Sequence, residues 1–193
     1  MWRYHRKKHI PFGSFFSQSK ELAILPDQDP PLEQPSQLDS DTYRRIAGQW
    51  LTGVTVVTTR DARGAPVGLT MNAISPLSLS PPMFLICLDL GSETLAAIEA
   101  SRTFAINFLG GDGGDTCKAF SRKGCDKFAD IANDAGAYGS PILKDAIAHV
   151  ECVVQDAHIA GDHKIIVGAA VAGTVNGGEP LAYFCGRFHR LHS

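Results

Sequence analysis

The run Val54-Thr55-Val56-Val57-Thr58-Thr59 is β-branched at every position. Such side chains lose rotamer freedom in a helix and pack well on a pleated sheet, so the run predicts a strand. Asp61-Ala62-Arg63-Gly64 is a turn signal, and a second strand through Val67 and Leu69 completes a hairpin. Met83–Leu88 is continuously apolar and follows Pro81-Pro82, which predicts a third strand. Phe104, Ile106 and Phe108 alternate, as do Val150, Cys152 and Val154 with Glu151 and Gln155 between and after them; both patterns have the period of a strand. Lys164–Val171 and Leu181–Phe188 supply two more. Helical spacing is confined to three places. Ser40 or Asp41 can cap a helix through Tyr43, Ile46, Ala47 and Trp50, and Ser92 can cap one over 92–100 with Leu95 and Ile98 on one face. Residues 115–134 read as helical and interrupted. Short turns join most strands, and helical crossovers do not alternate with them. The predicted fold class is therefore mainly β: a small closed or partly closed antiparallel barrel with a few short helices.

Residues 1–40 differ from the rest. The first twenty carry Arg3, Arg6, Lys7, Lys8 and Lys20 and no acid, whereas 21–41 carry six acids and no base. Five of the eleven prolines fall in the same stretch, and proline fixes φ and removes a backbone donor. We expect residues 1–40 to be a loosely ordered extension and 41–193 to be one domain. No apolar h-region with a small-residue cleavage site is present, so no secretory signal is expected. A formal net charge of -2 gives no basic excess for nucleic acid or an anionic membrane surface, and no apolar run reaches the length of a membrane span. The five cysteines contain no CxxC pair, which suggests free thiols in a reducing, cytoplasmic setting.

The common phosphate, zinc-protease and serine-hydrolase signatures are missing. The loop Gly110-Gly111-Asp112-Gly113-Gly114-Asp115 fails the GxGxxG spacing, and its aspartates would repel a phosphate. Asp156, His158, Asp162 and His163 lack a third neutral ligand, so no metal is expected. The segment Gly68–Pro82 is more informative. Thr70, Asn72, Ser75, Ser78 and Ser80 lie there among apolar residues. Hydroxyls, amides and backbone N–H groups can bind a phosphate and the oxygens of a flat ring; equally, such hydroxyls can satisfy local backbone groups in a strand connection.

Four blocks together carry a resemblance. They are Gly48-Gln49-Trp50-Leu51-Thr52-Gly53-Val54-Thr55-Val56-Val57-Thr58, then Gly68–Pro82, then Phe120-Ser121 with Asp126-Lys127-Phe128, then Gly161-Asp162-His163-Lys164-Ile165-Ile166-Val167-Gly168. In this order, over residues 43–191, the chain resembles the flavin reductase-like family, whose fold is the FMN-binding split barrel. The resemblance implies a homodimer that binds FMN or FAD, takes hydride from NADH or NADPH, and supplies reduced flavin to a partner monooxygenase. It places Thr70, Met71, Asn72, Ala73 and Ser75 in the flavin-contacting stretch. Ser92 falls at a helix N-terminus able to help hold the phosphate, and Ser121 and Lys127 fall in a phosphate-side cluster. His163 is placed beside the nicotinamide. Lys127 stands where arginine is more usual, and Phe188 where tyrosine is. The second reading is an FMN-binding electron-transfer flavoprotein that does not use nicotinamide.

Overall fold

The computed structural model describes residues 37–124 and 126–191; residues 1–36, most of the expected extension, lie outside them. The first half of the domain contains α1 (Ser40–Ala47), β1 (Thr52–Gly53), β2 (Thr55–Arg60), β3 (Pro66–Met71), β4 (Ile74–Leu79), β5 (Pro82–Asp89), α2 (Glu93–Ser101) and β6 (Thr103–Leu109). The second half contains α3 (Gly114–Ser121), β7 (Asn133–Ala135), β8 (Pro141–Leu143), β9 (Ala146–Ala160), β10 (His163–Val175), β11 (Leu181–Phe184) and β12 (Arg187–Arg190).

Seven strands form one antiparallel sheet in the order β3-β2-β6-β9-β10-β5-β4. Its two edge strands, β3 and β4, are consecutive in the chain and joined by Asn72 and Ala73 alone. A two-residue link cannot cross a flat seven-stranded sheet, where neighbouring strands are about 4.8 Å apart. The sheet therefore curls until its edges meet. The two edges do not pair, so the barrel is closed by the chain at that corner and split between β3 and β4. The corner is fixed by Ile74 N–H donating to Asn72 O and Cys87 N–H donating to Ala73 O, both at 2.9 Å.

The β-branched run becomes β2, in the sheet between β3 and β6, buried on both faces. Val57 points into the barrel core with Ile86, Leu88, Leu95, Ile98, Phe104 and Ile106. Val56 points outward into a second cluster with Leu109, Cys117, Phe120 and Leu143, under α3 and β8. The threonines of this strand are buried without strain on polarity: Thr58 Oγ1 donates to Pro141 O at 2.5 Å and Thr59 Oγ1 to Thr103 O at 2.7 Å. Gly168 of β10 makes room for a core ring; a Cβ there would lie 2.6 Å from Phe104 Cζ.

Four details differ from the sequence reading. Asp39 caps α1, accepting from the N–H of Asp41 and Thr42, and the helix stops at Ala47. Residues 74–79, read as a connection, are strand β4, because they pair with β5. Between 122 and 132 the described residues hold no helix; the helical segment is α3 alone. The last predicted strand is two strands, β11 and β12, because Cys185 and Gly186 take positive φ of 47° and 77° and turn the chain back.

Candidate functional site

A cavity of about 720 Å³ runs along β3. All of Pro66–Ala73 line it, joined by Cys87–Asp89 at the end of β5, Gly91–Thr94 at the start of α2, Phe120–Lys123 at the end of α3, Asp126–Phe128, and His163 at the start of β10. The volume is within the range of small-molecule and cofactor sites.

The edge position of β3 explains the cavity's polarity. β3 pairs only with β2, so the backbone groups of alternate residues face away from the sheet. Gly68 O is one of them, since it accepts from Lys127 Nζ at 2.9 Å; by strand alternation the N–H groups of Gly68 and Thr70 face the same way. A second set of donors comes from α2. Ser92 Oγ accepts the Leu95 N–H at 3.4 Å as the N-cap, while the first-turn N–H groups of Glu93 and Thr94 have no acceptor among the described residues. Helix N-termini in this state favour anions.

Several of the expected flavin-side groups also hold the fold. Thr70 Oγ1 donates to Cys117 O at 2.7 Å, tying α3 to β3. Ser121 Oγ donates to the same carbonyl at 2.8 Å. Lys127 Nζ reaches Gly68 O and Phe120 O, which places its charge between β3 and the end of α3. Asn72 Nδ2 donates to Thr52 Oγ1 at 3.1 Å. Met71 is nearly buried on the floor, and Ala73 is exposed at the corner.

His163 reaches the cavity because β10 pairs with β5 in the register His163↔Asp89. Its Nδ1 lies 2.7 Å from Asp162 Oδ1. With the carboxylate charged, that contact makes Nδ1 the donor and leaves Nε2 for a ligand. The hydrogen bond from His163 is the main cause that holds the Asp162 carboxyl below the ordinary carboxylate range. Leu90 N–H donates to Asp162 O at 3.0 Å, so the β9–β10 turn is pinned to the segment leading into α2. Two faces of the cavity are thereby held in one register.

The structure therefore gathers Thr70, Met71, Asn72, Ala73, Ser92, Ser121, Lys127 and His163 around one space. Ser75 is not brought there. Ile74 packs on the barrel core, so the next side chain faces the other side of the strand; Ser75 is exposed, and its hydroxyl donates to Pro76 O. The sequence reading missed Arg122 and Lys123, which fell in a segment read as interrupted helix, and gave no site role to Phe128, although it stands in the third of the four blocks. It also missed Cys87, whose thiol pKa is raised by burial; nothing in its neighbourhood in sequence marked it.

Comparison with known proteins agrees with this arrangement. The reductase component of a 4-nitrophenol 4-monooxygenase/4-nitrocatechol 2-monooxygenase from Rhodococcus opacus is 40% identical over 151 residues, 78% of this chain and 80% of that protein. A flavin reductase (NADH) from Kitasatospora aureofaciens is 42% identical over 141 residues, 72% of this chain and 74% of that one. Among solved structures, nitrilotriacetate monooxygenase component B from Mycobacterium thermoresistibile superposes with a TM-score of 0.76 at 35% identity, over 79% of this chain and 86% of that one. An NADH:FAD oxidoreductase from Streptomyces globisporus gives 0.76 at 32% identity, over 85% of this chain and 100% of that one. Residues 47–192 match the model described as the flavin reductase like domain, and the chain belongs to the flavin reductase-like family.

Proposed function

We propose that this protein is a flavin reductase that passes hydride from NADH or NADPH to FMN or FAD and supplies the reduced flavin to a separate monooxygenase. One observation carries the reading. His163, the outward donors of β3, the α2 N-terminus and Lys127 border a single cavity, although they come from distant parts of the chain. The residues fit a flavin. An edge strand offers N–H groups in a row to a flat heteroaromatic ring, and the first turn of α2 and the Lys127 ammonium offer positive potential to a phosphate. When bound, the flavin supplies a ring that accepts hydride at N5.

The chain's own residues then have positioning tasks. Direct hydride transfer needs two flat rings within roughly 3–3.5 Å and no protein proton donor. Thr70 to Ala73 form the wall against which one ring lies. Met71 and Leu88 exclude water from its floor. His163, oriented through Nδ1 by Asp162, presents Nε2 at the open side to the nicotinamide carboxamide or pyrophosphate. The family relatives point the same way: two of them are named as an NADH flavin reductase and a monooxygenase reductase component.

A homodimer and a cytoplasmic location belong to the same proposal. The α1 helix has no buried residue among its own; Tyr43 and Ile46 on it and Trp50 and Leu51 just after it are exposed, and a second copy would cover such apolar residues. The four described cysteines are all free thiols. Among the described residues no helix is long and apolar enough to cross a membrane. The test of function is steady-state oxidation of NADH and NADPH with added FMN, FAD or riboflavin. Acceleration that depends on both donor and flavin is expected; donor oxidation no faster than the uncatalysed mixture with any flavin would refute the reading.

A further inference from the structure

Resting on the flavin-reductase reading, we propose that the α3 end of the cavity is a seat for the adenylate half of FAD, so that this chain selects FAD over FMN. The cavity has two unlike ends. His163, Cys87 and Asp89 meet Asn72 and Ala73 at one end, through the register of β5 with β10 and the corner bond to Ala73. Lys127 and Phe120 meet Gly68 further along. Pro66 and Val67 extend the same wall beyond Gly68, away from His163. Eight lining residues of extended chain make the wall roughly 20 Å long.

A mononucleotide ends at one phosphate. Ser121 and Lys127 beside Gly68, with the α2 N-terminus nearer His163, suffice for it. Past them the structure holds groups that a mononucleotide leaves unused. Arg122 and Lys123 line the cavity and are exposed, and no side-chain hydrogen bond or ion pair is made by either among the described residues. The chain leaves α3 at Arg122 in an extended conformation, with ψ 156°, so these two side chains follow the helix end outward. The acid at this end is Asp126, and its Oδ1 already accepts the Phe128 N–H at 3.0 Å. At this end Arg122, Lys123 and Lys127 stand beside Asp126, while Glu93 and Asp89 line the cavity on its α2 side; the local surplus of cations suits a diphosphate. Beside them Pro66, Val67 and Phe128 give an apolar floor for a flat purine, and the Phe128 ring is fixed edge-on against Phe120 with centroids 4.8 Å apart. Arg60, opposite Pro66 in the sheet, is directed elsewhere: its guanidinium donates to Gly139 O and Gly64 O.

The test is titration of the full chain with FAD, FMN and riboflavin, for wild type and for the double variant Arg122→Gln/Lys123→Gln, with the Michaelis constant for NADH measured beside it. The expected result is a wild-type Kd for FAD at least tenfold below that for FMN. The variant should raise the FAD value tenfold or more, to the FMN level, and change FMN and riboflavin by less than twofold. Equal wild-type affinity for FAD and FMN would overturn the seat and leave the reductase reading intact, as would a variant that weakens FMN as much as FAD. A variant that raises only the NADH constant would assign the two cations to the nicotinamide donor and equally overturn the seat. Binding of no flavin at all would overturn both.

Discussion

Lys127→Met separates the two things Lys127 does. In the folded chain its ammonium donates to Gly68 O at 2.9 Å and to Phe120 O at 3.3 Å. Hydrogen bonds from a charged donor contribute about 1.5–3 kcal/mol each when short and buried. Here the site is half open and the second bond is long, so a loss of about 1–2 kcal/mol in stability is expected, read as a lower urea midpoint at unchanged slope. A flavin phosphate near the same ammonium loses a charge-assisted contact of about 1.5–3 kcal/mol, which is about a ten- to hundredfold rise in Kd. Riboflavin has no phosphate and is the internal control. Fluorescence-quenching titrations should show FMN and FAD weakened ten- to hundredfold and riboflavin by less than twofold. If riboflavin weakens as much as FMN, Lys127 acts by holding β3 to α3 and not by meeting the phosphate, and the assignment of the phosphate to this end of β3 fails.

Three further outcomes are expected. Gly168→Ala places a Cβ 2.6 Å from the Phe104 ring and 2.8 Å from Cys152 Cβ; overpacking of this kind should cost about 1–3 kcal/mol, while Gly114→Ala, with nothing within 4 Å, should shift the midpoint little, and equal shifts in chemical denaturation would refute the packing argument. Glu151 is buried and its carboxylate accepts the N–H groups of Ala137 and Tyr138, both at 2.8 Å, so Glu151→Leu should destabilise by about 3 kcal/mol or more; an unchanged melting curve would contradict it. Burial, with the Glu151 charge as a lesser cause, pushes the Cys152 thiol up to about 12. Its thiolate fraction at pH 8 is then about one in ten thousand; native labelling should modify exposed Cys185 quickly and Cys152 only on unfolding, and rapid native modification of Cys152 would disprove its burial.

The strands were legible where one physical cause dominates. The β-branched run 54–59 marks β2, covered on both faces, and the 104–108 and 150–154 alternations mark strands that turn apolar residues to the barrel core and the buried polar Asn107 and Glu151 to hydrogen-bond partners on the other face. β4 was hidden because Ser75, Pro76, Leu77 and Ser78 have no alternation to read; that strand is specified by pairing with β5 across a bulge between Pro76 and Ser78. The capping of α2 by Ser92 could be read from local chemistry alone. The capping of α1 could not be fixed to one residue, since Asp39, Ser40 and Asp41 are all competent caps and only geometry selects Asp39.

The site was legible in part for a similar reason. Thr70–Ala73 and His163 stand in motifs, and the structure places them in one cavity. Ser75 belongs to the same sequence block as Thr70, yet the corner at Asn72–Ala73 moves it to another strand and its alternation turns it to solvent. Arg122 and Lys123 carry no motif at all. Their relevance comes from where the end of α3 falls beside Gly68, a long-range consequence of the Thr70–Cys117 hydrogen bond. Sequence spacing also could not reveal that Thr70, Ser121 and Lys127 donate to backbone carbonyls, so that the groups proposed to meet the flavin are also the ones that hold local packing.

The most direct test of the central claim is anaerobic stopped-flow reduction of flavin by NADH, followed by bleaching near 450 nm, in wild type and in His163→Ala. The account predicts rapid, saturable bleaching in wild type. It predicts that His163→Ala saturates poorly with NADH and reduces flavin up to about a hundredfold more slowly, since a misplacement of about 1 Å between stacked rings has that effect, while flavin affinity stays within twofold. Wild-type flavin that remains oxidised under excess NADH and NADPH would contradict the account and leave an electron-transfer flavoprotein in its place. Reduction in His163→Ala indistinguishable from wild type would remove His163 from the nicotinamide site.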